Sequence, residues 1–132
     1  MACVRTFATF RVFSRKHTID ELNDILGIQP TKANDRNPSS RRENEREFSI
    51  WTLSTKEALN SVDEHEHIDY LLSKLSGLAT SLARLRQEGC LLDVFCYFEI
   101  DGQGGPSLAK GQMKILSELG LDIVWDIYSE TR

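Results

Sequence analysis

Apolar and polar residues alternate through "CVRTFATFRVF" near the start of the chain. Val4, Thr6, Ala8, Phe10 and Val12 would share one face, and Arg5, Phe7, Thr9, Arg11 and Phe13 the other. That is the period of a β-strand. The period then changes. In "HTIDELNDILGIQP", Ile19, Leu22, Ile25 and Leu26 recur at helical spacing. Thr18 and Glu21 make a capping box: the hydroxyl accepts from the amide three residues on, and the carboxylate reaches back. Gly27 suits the left-handed residue that ends a helix, and Pro30 prevents its resumption.

"TKANDRNPSSRRENERE" has no apolar period and many turn formers, so it reads as a loop, mobile over about 31–46. "FSIWTLS" reads as a second strand. Ser61 and Glu64 form a second capping box before a helix running from Val62 to about Glu88. Ile68, Leu71, Leu75, Leu78, Leu82 and Leu85 draw one stripe along it. A straight helix of that length would measure about 40 Å, whereas a domain of this size is about 36 Å across. The helix must cross the whole molecule or bend, and Gly77 is the expected bend. Gly89 ends it. "CLLDVFCYFEI" is the third and most apolar strand. A third helix runs from about Leu108, with Ser107 as its natural N-cap, to Leu119, and Gly120 closes it. "LDIVWDIYS" is the fourth strand, with Ile123, Trp125 and Ile127 on one face and Asp122, Val124, Asp126 and Tyr128 on the other.

Alternating strands and helices normally suggest a parallel sheet covered on both faces, whose strands are apolar throughout. Here Arg11, Glu99, Asp122 and Asp126 interrupt three of the four strands, so one sheet face should be wet. The expected fold is a single α+β domain over 1–132. It is a two-layer sandwich, a four-stranded mixed sheet with three helices packed on one face, in the order β-α-β-α-β-α-β. A short echo links the halves: strand, helix, "LGI" and "IWTLS" answer strand, helix, "LGL" and "VWDIYS".

The 132 residues suit one domain, and the formal net charge of -4 argues against a nucleic-acid partner. It is compatible with a basic protein partner. No apolar run approaches the roughly 20 residues of a membrane helix. Arg5 and Arg11 break the N-terminal stretch, which makes it a poor secretory signal. Cys3, Cys90 and Cys96 include no CxxC pair and read as free thiols of a reducing, cytoplasmic compartment, with Cys90 and Cys96 as small apolar fillers in strands.

Candidate chemistry is sparse. "DGQGGPSLAKGQMK" (101–114) lacks the GK[ST] of a phosphate loop, because Lys110 precedes Gly111, and position 107 is Ser where a dinucleotide fingerprint wants Gly. A turn that starts a helix explains it better. "DEHEHIDY" places His65 and His67 on diverging sides of a helix. Asp63 and His67 have ligand spacing, but two ligands from a single helix are a weak signal and an acidic first turn explains the run, so no metal site is expected. Were the chain an enzyme with scattered residues, Glu64, His65 and His67 would be the first acid-base cluster to test. Arg36, Arg41, Arg42 and Arg46 crowd one loop of an acidic chain, as a solvated segment or as a contact surface. His17, beside Arg15 and Lys16, is expected to be exposed. No GxSxG, HExxH or Cys-His pair is present.

The order of elements, with "ATFRVF" (8–13), "IDELNDILGIQP" (19–30), Trp51 in "IWTLS" and "LSELGLDIVWDIY" (116–128), resembles a family of small bacterial proteins known as domain of unknown function 4279. The resemblance covers nearly the whole chain and implies fold, with no catalytic residues and no cofactor. It departs in the loop before Trp51, where the family has a glycine and this chain has none. Some family members look like neighbours of toxin genes. By that analogy the chain is expected to be a non-enzymatic immunity-type protein that binds and neutralises a toxin, with Arg36, Arg41, Arg42, Arg46, Glu64, Asp101 and Gln103 as contact residues. The alternative is a small-molecule or regulatory module using the 101–111 turn.

Overall fold

The N-terminal alternation becomes the middle of a sheet. In the computed structural model, which describes residues 2–130, β1 (Ala2–Ser14) pairs antiparallel with β3 (Ser49–Ser54) on one side and β4 (Leu91–Asp101) on the other. A three-residue strand, β2 (Lys32–Asn34), lies antiparallel outside β3, and β5 (Asp122–Glu130) lies parallel outside β4. The order is β2-β3-β1-β4-β5, a mixed sheet. The helices are α1 (Ile19–Leu26), α2 (Glu43–Glu47), α3 (Glu64–Leu75), α4 (Ala79–Gln87) and α5 (Lys110–Leu119).

The α+β class and the mixed sheet agree with the sequence. The element count does not: the described residues hold five strands and five helices, not four and three. Both β2 and α2 fall inside the segment read as a loop. Three residues against β3, and five residues with no buried side chain, are too short to print a period. The expected long helix is two helices. Gly77 takes φ +82° between Ser76 and Leu78, so the chain breaks there instead of bending.

Cap residues follow the same pattern of near misses. The Thr18–Glu21 box forms, with Glu21 N–H on Thr18 Oγ1 at 3.2 Å and Thr18 N–H on Glu21 Oε1 at 2.8 Å. Ser61 and Glu64 do not form one. Asp63 caps α3 by accepting from His65 N–H, and Ser61 accepts from Asp63 N–H. Nor does Ser107 cap α5. The helix starts two residues later than Leu108, and the Gln112 side chain accepts from Ala109 N–H. A local motif names several possible caps, and packing chooses among them.

One face of the sheet carries the core. Ala8, Phe10, Val12, Trp51, Leu53, Val94 and Cys96 meet Leu22 and Leu26 of α1, Ile68, Leu71 and Leu75 of α3, Leu82 and Leu85 of α4, and Leu116 and Leu119 of α5. Burial of these side chains is the main driving force for the two-layer form. The two echoing halves pair in opposite senses: β1 and β3 run antiparallel, β4 and β5 parallel. The echo is one of local pattern only.

Candidate functional site

Among the described residues α1, α3, α4 and α5 pack on the core face, and no helix layer covers the outer face of the sheet. Register places Phe13 beside Leu91, Arg11 beside Asp93, Thr9 beside Phe95, Phe7 beside Tyr97 and Arg5 beside Glu99. On β5 the same rows continue with Asp122 next to Asp93, Val124 next to Phe95, Asp126 next to Tyr97 and Tyr128 next to Glu99. Arg11, Glu99, Asp122 and Asp126, the charges that interrupt the strands, all sit on this face. Period two sends every such residue the same way.

Rings and cations interleave across it. Phe7 stacks on Tyr97 with centroids 5.0 Å apart, and Tyr97 leans on Tyr128 at 5.3 Å. Phe13 meets Phe48 edge to face at 5.8 Å. The Arg11 guanidinium lies 4.6 Å from the Phe95 centroid, Arg15 lies 4.3 Å from Phe48, and Arg5 lies between Phe7 and Tyr97 at 5.7 and 5.8 Å. A cation over a ring face is attracted by the ring quadrupole. Arg11 also forks onto Asp93. The Tyr97 hydroxyl donates to Glu99 at 2.7 Å, and that bond raises its pKa above the ordinary phenol value.

At the β2 end the face deepens into a cavity of about 530 Å³, lined by Lys32, Asn34, Asp35, Asn37, Glu45, Phe48, Ile50 and Thr52. The walls come from β2, from β3 and from the segment that joins them. It is held by Asn37 N–H on Glu45 O and by the Ser40 hydroxyl on Glu45 Oε1.

The contact residues expected from sequence do not converge. Arg36, Arg41, Arg42 and Arg46 precede β3, at the end of the sheet where Ser49 pairs with Ser14. Asp101 pairs with Ala2 at the other end of β1, Gln103 follows it in the turn, and Glu64 is tied to Ser107 beyond that turn. At about 3.3 Å per residue the two groups are roughly 40 Å apart. Several are already engaged. Arg46 donates to the carbonyls of Ser40 and Arg41, Arg42 pairs with Glu45, and Glu64 accepts from Ser107 N–H. Phe7, Phe13, Phe95, Tyr97 and Tyr128 were missed. Part of their signal was present, since Phe7, Arg11 and Phe13 share the outward face of the first strand.

The remaining polar groups have structural work. His67 is buried, with Nδ1 2.6 Å from Thr55 Oγ1 and Nε2 2.8 Å from the Ser61 carbonyl. Thr55 Oγ1 also accepts from Ala8 N–H. The ring therefore donates through Nε2 and accepts the Thr55 hydroxyl at Nδ1. His65 Nε2 lies 3.0 Å from Ser107 Oγ, which ties the glycine-rich turn to α3. Gln112 is buried and donates to the His65 carbonyl and to Asp69. So Glu64 and His65 both meet Ser107, one at its amide and the other at its hydroxyl, while His67 turns inward to Thr55 and Ser61. Among the described residues no group of three or more His, Cys, Asp or Glu is placed to hold a metal.

His17 corrects an expectation. It is only 7% exposed, and its Nε2 donates to Glu88 at 2.7 Å. Lys16 donates to the same carboxylate at 3.0 Å. Those bonds, the His17 one first, pull the Glu88 pKa down to about 2. Cys96 is buried in β4, and burial pushes its thiol up to about 12. Cys90, immediately before that strand, is raised for the same reason.

A family model described as domain of unknown function (DUF4279) matches residues 4–130. No curated protein and no solved structure matches the chain. No helix among the described residues is long and apolar enough to cross a membrane.

Proposed function

The chain belongs to the DUF4279 family, and from that premise we propose that it is a non-enzymatic binding protein whose open sheet face covers a protein partner, in the manner of an immunity protein that neutralises a toxin. One observation carries this reading: aromatic rings and guanidiniums interleave on the sheet face that has no helix layer. Tyr, Trp and Arg are the residues that dominate protein–protein interfaces, because they combine area, rigidity and forked hydrogen bonding. Five strands about 4.8 Å apart, from three to thirteen residues long at about 3.3 Å each, present roughly 700 Å², close to one side of a standard interface.

The charge of the face separates a protein from a nucleic acid. Arg5, Arg11, Arg15, Lys32 and Lys56 are balanced by Asp93, Glu99, Asp122 and Asp126, together with Glu47, which pairs with Arg15. A phosphate backbone needs a net positive surface, whereas a protein partner needs a patterned one. The cavity beside Phe48 and Ile50 offers a seat for one partner side chain. The whole carries a bacterial, cytoplasmic assignment as part of the same reading.

The test is co-purification with the product of the adjacent gene, followed by titration calorimetry with Arg5→Ala and Tyr128→Ala, both at exposed positions. Each should weaken the complex by about tenfold or more, the scale of an interface hot spot. A complex that forms equally well with both variants, or no complex together with unharmed cells on deletion beside that gene, sinks the reading.

A further inference from the structure

We propose that the outer edge of β5 docks an extended, lysine- or arginine-bearing segment of a partner, which joins the sheet as an added strand. β5 is a nine-residue strand whose packing neighbour is β4, and its register against β4 runs without a shift from Asp122 to Glu130. In such an edge strand every second residue turns its N–H and C=O outward, and among the described residues no strand lies beyond β5 to receive them.

Edges of this length are usually guarded by charges, lysine above all, by proline, by a bulge or by brevity. The opposite edge follows that rule, since β2 has three residues and carries Lys32. Residues 122–130 contain no Lys, Arg, Pro or Gly. Val124, Ile127 and Tyr128 are 40, 48 and 52% exposed and point to both sides of the strand, so an added strand would find apolar cover above and below.

Charge selects the occupant. Asp122 and Asp126 share the outer face, and neither belongs to an ion pair among the described residues. Asp93, the neighbour of Asp122, is already held by Arg11. A second copy of the chain would bring the same acidic edge against itself. A strand with basic residues at alternate positions meets those carboxylates, while its backbone meets the outward amides.

This deepens the binding reading above and rests on it only for the existence of a protein partner. The intact chain is titrated with a short peptide alternating lysine and valine, with amide exchange followed in parallel. Saturable binding is expected, with exchange slowed within 122–130. N-methylation of alternate peptide amides, or Asp122→Asn with Asp126→Asn, should weaken it about tenfold or more. Arg5→Ala should leave peptide binding unchanged, so loss of the partner complex through Arg5 and loss of the edge fail separately. Equal affinity for the N-methylated peptide, protection outside β5, absence of binding, or dimerisation of the chain through this edge would each overturn the proposal.

Discussion

Arg11 and Asp93 face each other across β1 and β4 and meet in a two-bond fork, Nε to Oδ1 at 2.8 Å and Nη2 to Oδ2 at 2.7 Å. The same guanidinium covers Phe95. One side chain thus joins two strands and shields a ring. Arg11→Ala should cost about 1–3 kcal/mol in urea denaturation at neutral pH, from the lost charged bonds and the uncovered ring. Arg11→Lys should recover only part of this, because an ammonium cannot make the planar fork. A neutral Arg11→Ala would mean that the fork contributes nothing to stability.

Thr55 serves two buried groups at once, the Ala8 amide and the His67 ring. Thr55→Val keeps the shape and removes the oxygen. Leaving two buried polar groups unpartnered should cost roughly 2–4 kcal/mol. The measurement is the chemical denaturation midpoint, with Thr55→Ser as the variant that restores the bonds.

Glu88 sets an acid limb. Its carboxyl has an ordinary value of 4.5 and is held at about 2 in the fold, first by the His17 bond and then by Lys16. A depressed folded pKa stabilises the protein above the unfolded value, and that contribution drains away as pH falls from about 4.5 through about 2. Glu88→Gln should lower stability at neutral pH and flatten the dependence in that window. Thermal unfolding from pH 7 to pH 2 would read it, and identical acid limbs would refute it.

Gly77 holds φ +82° between α3 and α4, and a Cβ there would meet nothing within 4 Å. Gly77→Ala should therefore cost about 1–2 kcal/mol from backbone conformation alone. A larger loss would show that packing is involved.

Cys96 should resist thiol reagents in the native protein and react only on unfolding, since the thiol is both covered and pushed up to about 12. Stoichiometric labelling of the folded protein at neutral pH at that position would contradict this structure.

Much of the architecture was legible because it is written in local periods. The Thr18–Glu21 box, the left-handed Gly27 and Gly120, the inward row Ala8, Phe10, Val12 and the outward charges of β4 and β5 all follow from spacing and backbone chemistry within a few residues. The proposed binding surface was half legible. Phe7, Arg11 and Phe13 announced a polar-aromatic face, yet nothing local says that Tyr97 would stack on Phe7, 90 residues away. The Arg loop drew attention instead, because a charge run is visible within one window.

What the chain determined by itself was the set of elements long enough to show a period, and which side of each is apolar. Tertiary structure alone decided the pairing of β1 with both β3 and β4, the parallel seat of β5, and the burial of His17 against Glu88. It also set Arg86 against the carbonyl of Leu119 at the end of α5. Those contacts join residues tens of positions apart. Their free energy depends on which surfaces are left to cover once the local pieces exist, and no short window of sequence contains that information.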